Sequence, residues 1–229
     1  MAAVKARLAS GNRHKLNELR AALPGWKLEL LETGRDYPPE DGATYYENAL
    51  AKAAFGLESA QADEWVLGED SGIEVAALGG APGIASARWA AEGVAQLLAE
   101  LDGVDDRRAR YVCELVALGP AGEERRGTGI LEGTVATERR GDAGFGYDPI
   151  FVPTGEERTV AELGDDWKRA NSHRARSARD LGQSGDVVVV AAAVPPVHLG
   201  AEDDHVRHHI DPDEQERRRA ERLHGDHLV

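Results

Sequence analysis

Apolar and charged residues alternate at Val4, Ala6 and Leu8, which predicts a short strand with Lys5 and Arg7 on its other face. A turn signal, Ser10-Gly11-Asn12, follows, and Leu16, Leu19 and Leu23 then recur at helical spacing through RHKLNELRAAL. Pro24-Gly25 ends that helix, and residues 26–31 read as a second strand. Beyond a turn-rich loop over 33–42, Thr44-Tyr45-Tyr46-Glu47 has the form of a capping box. It opens a helix with Ala49, Leu50, Ala53, Ala54 and Leu57 on one stripe. The apolar runs 65–67 and 73–78 read as strands, or as one strand and its continuation, with a tight polar corner over 68–72 between them. After a Gly-rich turn at 79–83 comes a helical region reaching Leu101, then a hairpin of strands 110–118 and 126–137. Residues 159–180 are helical with a break at 171–174, and the apolar run after Gly182 could form one more strand. At 229 residues the chain suits one large domain or two small lobes.

Several of these turns carry candidate chemistry. A strand, a small polar turn and a helix start can aim free backbone N–H groups at an anion, with Lys15 adding charge from the first helical turn. The same residues also suit a plain helix cap. Glu69-Asp70 between glycines fits either a polar turn or a hard-cation site beside a phosphate. Glu47 has a capping role, so Glu40 in the PPEDG loop is the better candidate for a second metal ligand. Arg88 could face a phosphate or pair with a surface acid. Glycines 141, 144 and 146 let backbone approach a flat ligand, Phe145 and Tyr147 offer a stacking face, and Asp148 offers an acceptor for ring N–H groups. His173 and Arg174 at a helix start, near Lys168, can present donors to one carbonyl.

Composition narrows the classes. A net charge of −14 disfavours a nucleic-acid surface but leaves room for a small polyanion held by a few converging cations. No apolar run approaches the roughly 20 residues of a membrane helix. The opening MAAVKARLASGN lacks a secretory h-region, so a cytoplasmic location without membrane attachment is expected. Cys113, the sole cysteine, lies in the apolar run YVCELVAL and is expected to be buried and reduced. Past Pro195-Pro196 the chain is charged and His-rich, and a largely flexible segment with a short helix over 212–223 is expected.

Five segments in order resemble the non-canonical purine nucleoside triphosphate pyrophosphatases, the inosine triphosphatase or HAM1-like family. They are SGNRHKLNEL (10–19), TYYENALAKA (44–53), EDSGIEVAALGGAPGIASARWA (69–90), GFGYDPIFVP (144–153) and AELGDDWKRANSHR (161–174). The resemblance implies an α/β fold over 1–181, a mixed twisted sheet with flanking helices forming two lobes around a nucleotide-binding cleft, and an atypical, largely flexible segment over 182–229. It further implies a homodimer that hydrolyses ITP, dITP and XTP to the monophosphate and pyrophosphate with Mg²⁺. Carried over by position, Ser10, Gly11, Asn12 and Lys15 would hold the triphosphate, with Arg13 and His14 contributing backbone groups only. Asp70 would be the catalytic carboxylate and a metal ligand, Glu40 the other ligand, and Ser71 a substrate contact. Phe145, Gly146, Tyr147 and Asp148 would line the base pocket, completed by Lys168, His173 and Arg174. Glu69 stands where many relatives have Asp. A Maf-like nucleotide pyrophosphatase and a non-catalytic nucleotide-binding module are the other readings.

Overall fold

The computed structural model describes residues 3–89, 92–183 and 188–189. Five helices and seven strands are assigned among them, and all but one short strand follow the predicted order. Strand β1 (Val4–Leu8) leads through helix α1 (Arg13–Ala22) to β2 (Trp26–Leu30), which lies parallel beside it. Helix α2 (Tyr45–Leu57) then carries the chain to β3 (Trp65–Val75), parallel to β1 on its opposite side. The chain therefore moves out from β1 in both directions, and the end of β1 is a topological switch point, where α/β sheets open a crevice for ligands.

Beyond β3 the sheet is antiparallel. A short helix α3 (Gly93–Glu100) precedes the hairpin of β4 (Arg108–Leu118) and β5 (Glu123–Val135). One side of β5 takes β6 (Phe151–Pro153) near one end and β7 (Val188–Val189) near the other. The sheet order is β2-β1-β3-β4-β5-β6. Three residues of β6 are too few for a periodic signal, which is why the sequence pattern shows only a loop there.

The predicted corner at 68–72 does not form. β1 stops at Leu8 opposite Leu67, whereas β3 continues unbroken to Val75 with β4 as partner. Gly68 and Gly72 serve close packing instead of a turn. A Cβ on Gly68 would stand 1.9 Å from the Ala49 carbonyl oxygen, and one on Gly72 2.2 Å from that of Gly83. Glu69 and Asp70 are thus mid-strand residues just past the end of β1.

Helices α4 (Val160–Asn171) and α5 (His173–Gln183) form from the predicted 159–180 segment and part at Ser172. Thr159 and Glu162 make a full capping box for α4. At α2 the Thr44 hydroxyl accepts from the Glu47 N–H as expected, but the Glu47 carboxylate takes the Ala43 N–H. Helix α5 lies directly on β5, because a Cβ on Gly129 would come within 1.9 Å of the His173 carbonyl oxygen.

The two largest of the four apolar clusters among the described residues occupy the two ends of the long strands. One gathers Leu8, Leu16, Leu19, Leu67, Leu115 and Leu181, and the other Ile73, Val75, Leu97, Tyr111, Ile150 and Phe151. Residues i and i+2 share a face of a strand, so Leu67, Glu69, Ser71 and Ile73 line up on one side of β3. Glu69 and Ser71 consequently fall between the two cores. Cys113, paired in register with Ser71, is buried and free, as expected. No helix among the described residues is long and apolar enough to cross a membrane. The expected helix at 212–223 and the flexible segment past Pro195-Pro196 lie outside the described residues.

The tight seat of α5 makes a stability prediction. Gly129→Ala should lose about 1–3 kcal/mol, the usual cost of overpacking, in a chemical-denaturation curve. Gly25→Ala, at a position with open space around the added Cβ, should stay within about 0.5 kcal/mol of wild type.

Candidate active site

The turn after β1 is held by its own side chains. Ser10 Oγ accepts the Asn12 N–H at 3.1 Å, and Asn12 Oδ1 accepts those of His14 and Lys15 at 2.9 and 3.2 Å. Asn12 is therefore the cap of α1, and the His14 N–H, a candidate anion donor, is already occupied. Arg13 is exposed and lines neither of the hollows described below, and His14 only brings its ring 5.3 Å from that of Phe145.

Two side chains of α1, three residues apart and so on one face, reach the polar belt between the cores. Lys15 Nζ lies 2.5 Å from Glu69 Oε2, and buried Glu18 lies 3.1 Å from Lys168 Nζ and 3.4 Å from Arg174 Nη1. Ser172 Oγ donates to Glu18 at 3.1 Å. Arg174, at the start of α5, donates to Glu69 Oε1 at 2.9 Å and to Ser71 Oγ at 2.8 Å. Burial works against the Glu69 charge, yet the Arg174 guanidinium and Lys15 ammonium outweigh it and hold its carboxyl well below the usual range. Glu69 here joins α1 to α5, and the glutamate arm reaches both.

On the opposite face of β3, Asp70 meets α2. Its Oδ2 accepts from Asn48 Nδ2 and its Oδ1 from Lys52 Nζ, each at 3.0 Å. Lys52 also reaches Glu40 Oε1 at 2.5 Å and the Glu69 carbonyl at 3.1 Å. Burial pushes the Asp70 carboxyl up, against the pull of Lys52 and Asn48. For Lys52, burial opposes the charge but Asp70 and Glu40 outweigh it and raise its pKa. Arg88 holds the other Glu40 oxygen at 2.5 Å.

The base-pocket candidates gather around Asp148. Its Oδ2 accepts the Phe145 N–H at 2.8 Å and Lys168 Nζ at 2.6 Å, which leaves that oxygen fully engaged within the protein. Burial raises the Asp148 carboxyl, opposed by Lys168. Lys168 Nζ stands 3.9 Å from the centroid of the Phe145 ring and the Arg174 guanidinium carbon 5.1 Å, a cation–π arrangement. Tyr147 is mostly core, with its hydroxyl donating to the Ser86 carbonyl at 3.0 Å. His173 stacks on Tyr111 at 4.5 Å and its buried Nδ1 has no hydrogen-bond partner among the described residues. Burial and then Arg174 keep its pKa well below the ordinary value, so the ring is neutral and offers one donor and one acceptor.

These groups border two hollows. The smaller, about 270 Å³, is lined by Ser10, Gly11, Lys15, Glu40, Lys52 and Arg88. The larger, about 390 Å³, is lined by Asn12, Lys15, Ser71, Phe145, Gly146, Tyr147, Asp148, Lys168, His173 and Arg174, among others. Lys15 borders both. Asp70 is buried and lines neither hollow, but its partner Lys52 lines the smaller one. Five cations (Lys15, Lys52, Arg88, Lys168, Arg174) meet five carboxylates (Glu18, Glu40, Glu69, Asp70, Asp148), so the network has no net charge of its own.

A Ham1 family model matches residues 6–184. The dITP/XTP pyrophosphatase of Mycobacterium tuberculosis strain H37Rv is 46% identical over 189 residues, covering 74% of this chain and 89% of its own length. The chain belongs to the Ham1 family. Another relative, the dITP/XTP pyrophosphatase of Bdellovibrio bacteriovorus, is 40% identical and covers 75% of this chain and 92% of its own length. Among solved structures, the Staphylococcus aureus Ham1 protein superposes with a TM-score of 0.66 at 35% identity, covering 76% of this chain and 93% of its own. The Ham1 fold thus accounts for the mixed sheet and its flanking helices.

Lys52, Asn48 and Glu18 belong to this site but are absent from the candidates read in the sequence. Asn48 and Lys52, four apart among alanines that face the sheet, were the available signal, because polar residues beside a buried stripe need partners. Removing the Arg174 guanidinium would leave buried Glu69 and Glu18 short of a counter-charge. Arg174→Met should therefore cost about 3–5 kcal/mol in urea unfolding, and Arg174→Lys should recover only part of it, since one ammonium cannot span Glu69, Glu18 and Ser71.

Proposed function

We propose that this chain hydrolyses non-canonical purine nucleoside triphosphates (dITP, XTP and ITP) to the monophosphate and pyrophosphate. The observation that carries this is the pair of hollows that share Lys15, one bordered by three cations and the Glu40 carboxylate, the other by an aromatic ring and fixed polar groups. The names of the Mycobacterium and Bdellovibrio relatives support the same substrate class.

A triphosphate brings about four negative charges, and the site's own charges already cancel. A divalent cation entering with the nucleotide is the direct remedy. Among the described residues no group of three or more carboxylate, His or Cys side chains could hold a metal alone. Asp70 and Glu40, however, converge on one point, the Lys52 ammonium, at 3.0 and 2.5 Å. Mg²⁺ takes one or two carboxylates and completes its shell from substrate phosphate and water, so this donor set fits it, with Asp70 and Glu40 as ligands. Bound there it would neutralise the polyphosphate and acidify water.

The chain's own residues do the rest. Lys15 binds the phosphate chain where the hollows meet, and Asp70 orients the attacking water. Phe145 supplies a ring face for the base. Donors from His173 and Arg174 meet a 6-oxo group, whereas a 6-amino group would leave both sides unpaired. Cytoplasmic action as a homodimer, by a domain over 1–181, completes the reading and rests on the family resemblance.

Two measurements test it. Pyrophosphate release with Mg²⁺ should favour dITP, XTP and ITP over ATP in kcat/KM, and a preference for ATP would refute the donor assignment. Asp70→Asn should lower kcat by about a hundredfold or more, and chelation of divalent cations should abolish turnover. Near-normal kcat in that variant would remove Asp70 from the chemistry.

A further inference from the structure

Both oxygens of Glu40 are taken, but the cations that take them differ in freedom. An ammonium has three donors, and Lys52 spends its three on Glu40 Oε1, Asp70 Oδ1 and the Glu69 carbonyl, with its side chain only 9% exposed. It has none left for an incoming anion. Arg88 is different. Its side chain is 46% exposed, it reaches Glu40 Oε2 through Nη1, and a guanidinium carries five donors. Its backbone is anchored, since the Arg88 N–H bonds the Ala85 carbonyl at 2.8 Å. The side chain borders the smaller hollow together with Ser10, Gly11 and Lys15.

We propose that Arg88 is a polyphosphate ligand: on substrate entry its guanidinium exchanges Glu40 for the terminal phosphates that leave as pyrophosphate. This deepens the triphosphate reading above and rests on it. The exchange is favoured by geometry, because a planar guanidinium offers two parallel N–H groups to two phosphate oxygens. It also frees one Glu40 oxygen as the phosphates arrive. Glu40 in this view restrains Arg88 in the empty site and surrenders it to a stronger anion.

Inorganic pyrophosphate is the probe, titrated calorimetrically into the full chain without divalent metal, so that the readout does not depend on turnover. Arg88→Gln should weaken binding about tenfold or more, the loss expected for a charge-assisted hydrogen bond. Glu40→Gln should tighten it several-fold by releasing the guanidinium. The double variant Glu40→Gln/Arg88→Gln should lose that gain and bind like Arg88→Gln. Wild-type affinity in Arg88→Gln, a gain that survives in the double variant, or no measurable binding by either wild type or Glu40→Gln would each overturn the proposal. If pyrophosphate binding proves indifferent to Arg88 while dITP is still hydrolysed, the ligand assignment falls and the enzyme reading stands. Arg88-dependent binding without hydrolysis of any nucleotide would do the reverse.

Discussion

The alternation of side chains along a β-strand governs this site. Glu69 and Asp70 are neighbours in sequence, yet on an extended strand they point to opposite faces. Each carboxylate therefore recruits its own cations from its own layer. Glu69 meets Lys15 of α1 and Arg174 of α5, and Asp70 meets Lys52 and Asn48 of α2. A carboxylate buried without such partners would cost several kcal/mol, so the helices that supply them are held in register with the strand. The packing glycines make this possible: Gly68 lets α2 reach the sheet and Gly129 does the same for α5.

From that division follows a separation of tasks. The face carrying Glu69 leads through Glu18 and Lys168 to Asp148 and the aromatic loop, and it is balanced and largely buried. Such a network suits a rigid frame for recognising an uncharged ring. The face carrying Asp70 opens toward Glu40 and Arg88, and of its cations Arg88 is the exposed one. Charges that are free to move suit a polyphosphate that arrives and departs. Lys15 borders both hollows and ties one task to the other.

The position of the site follows from topology. β1 ends at Leu8 while β3 runs on with β4, so the loop that caps α1 abuts the stretch of β3 that β1 leaves open on its own side. The crevice at this switch point would exist for many sequences of this fold. Which chemistry occupies it depends on the side chains that line it.

Much of this was legible in the residues themselves. Local periodicity and turn chemistry decide the strand at Val4–Leu8, the Asn12 cap, the hairpin and the break at Ser172, because each depends on neighbours a few positions away. The motif segments identified the aromatic loop and the cations at 168 and 174. What the sequence could not decide was who pairs with whom. The stretch at 68–72 looks like a turn, since Gly, Ser and Asp favour turns, but the hydrogen bonds of β4 override that preference. Glu18 and Lys52 lie 156 and 18 positions from their partners Arg174 and Asp70, and only the packing of the helices on the sheet brings them together. Long-range ion pairing is a property of the assembled layers, and a linear pattern carries no term for it.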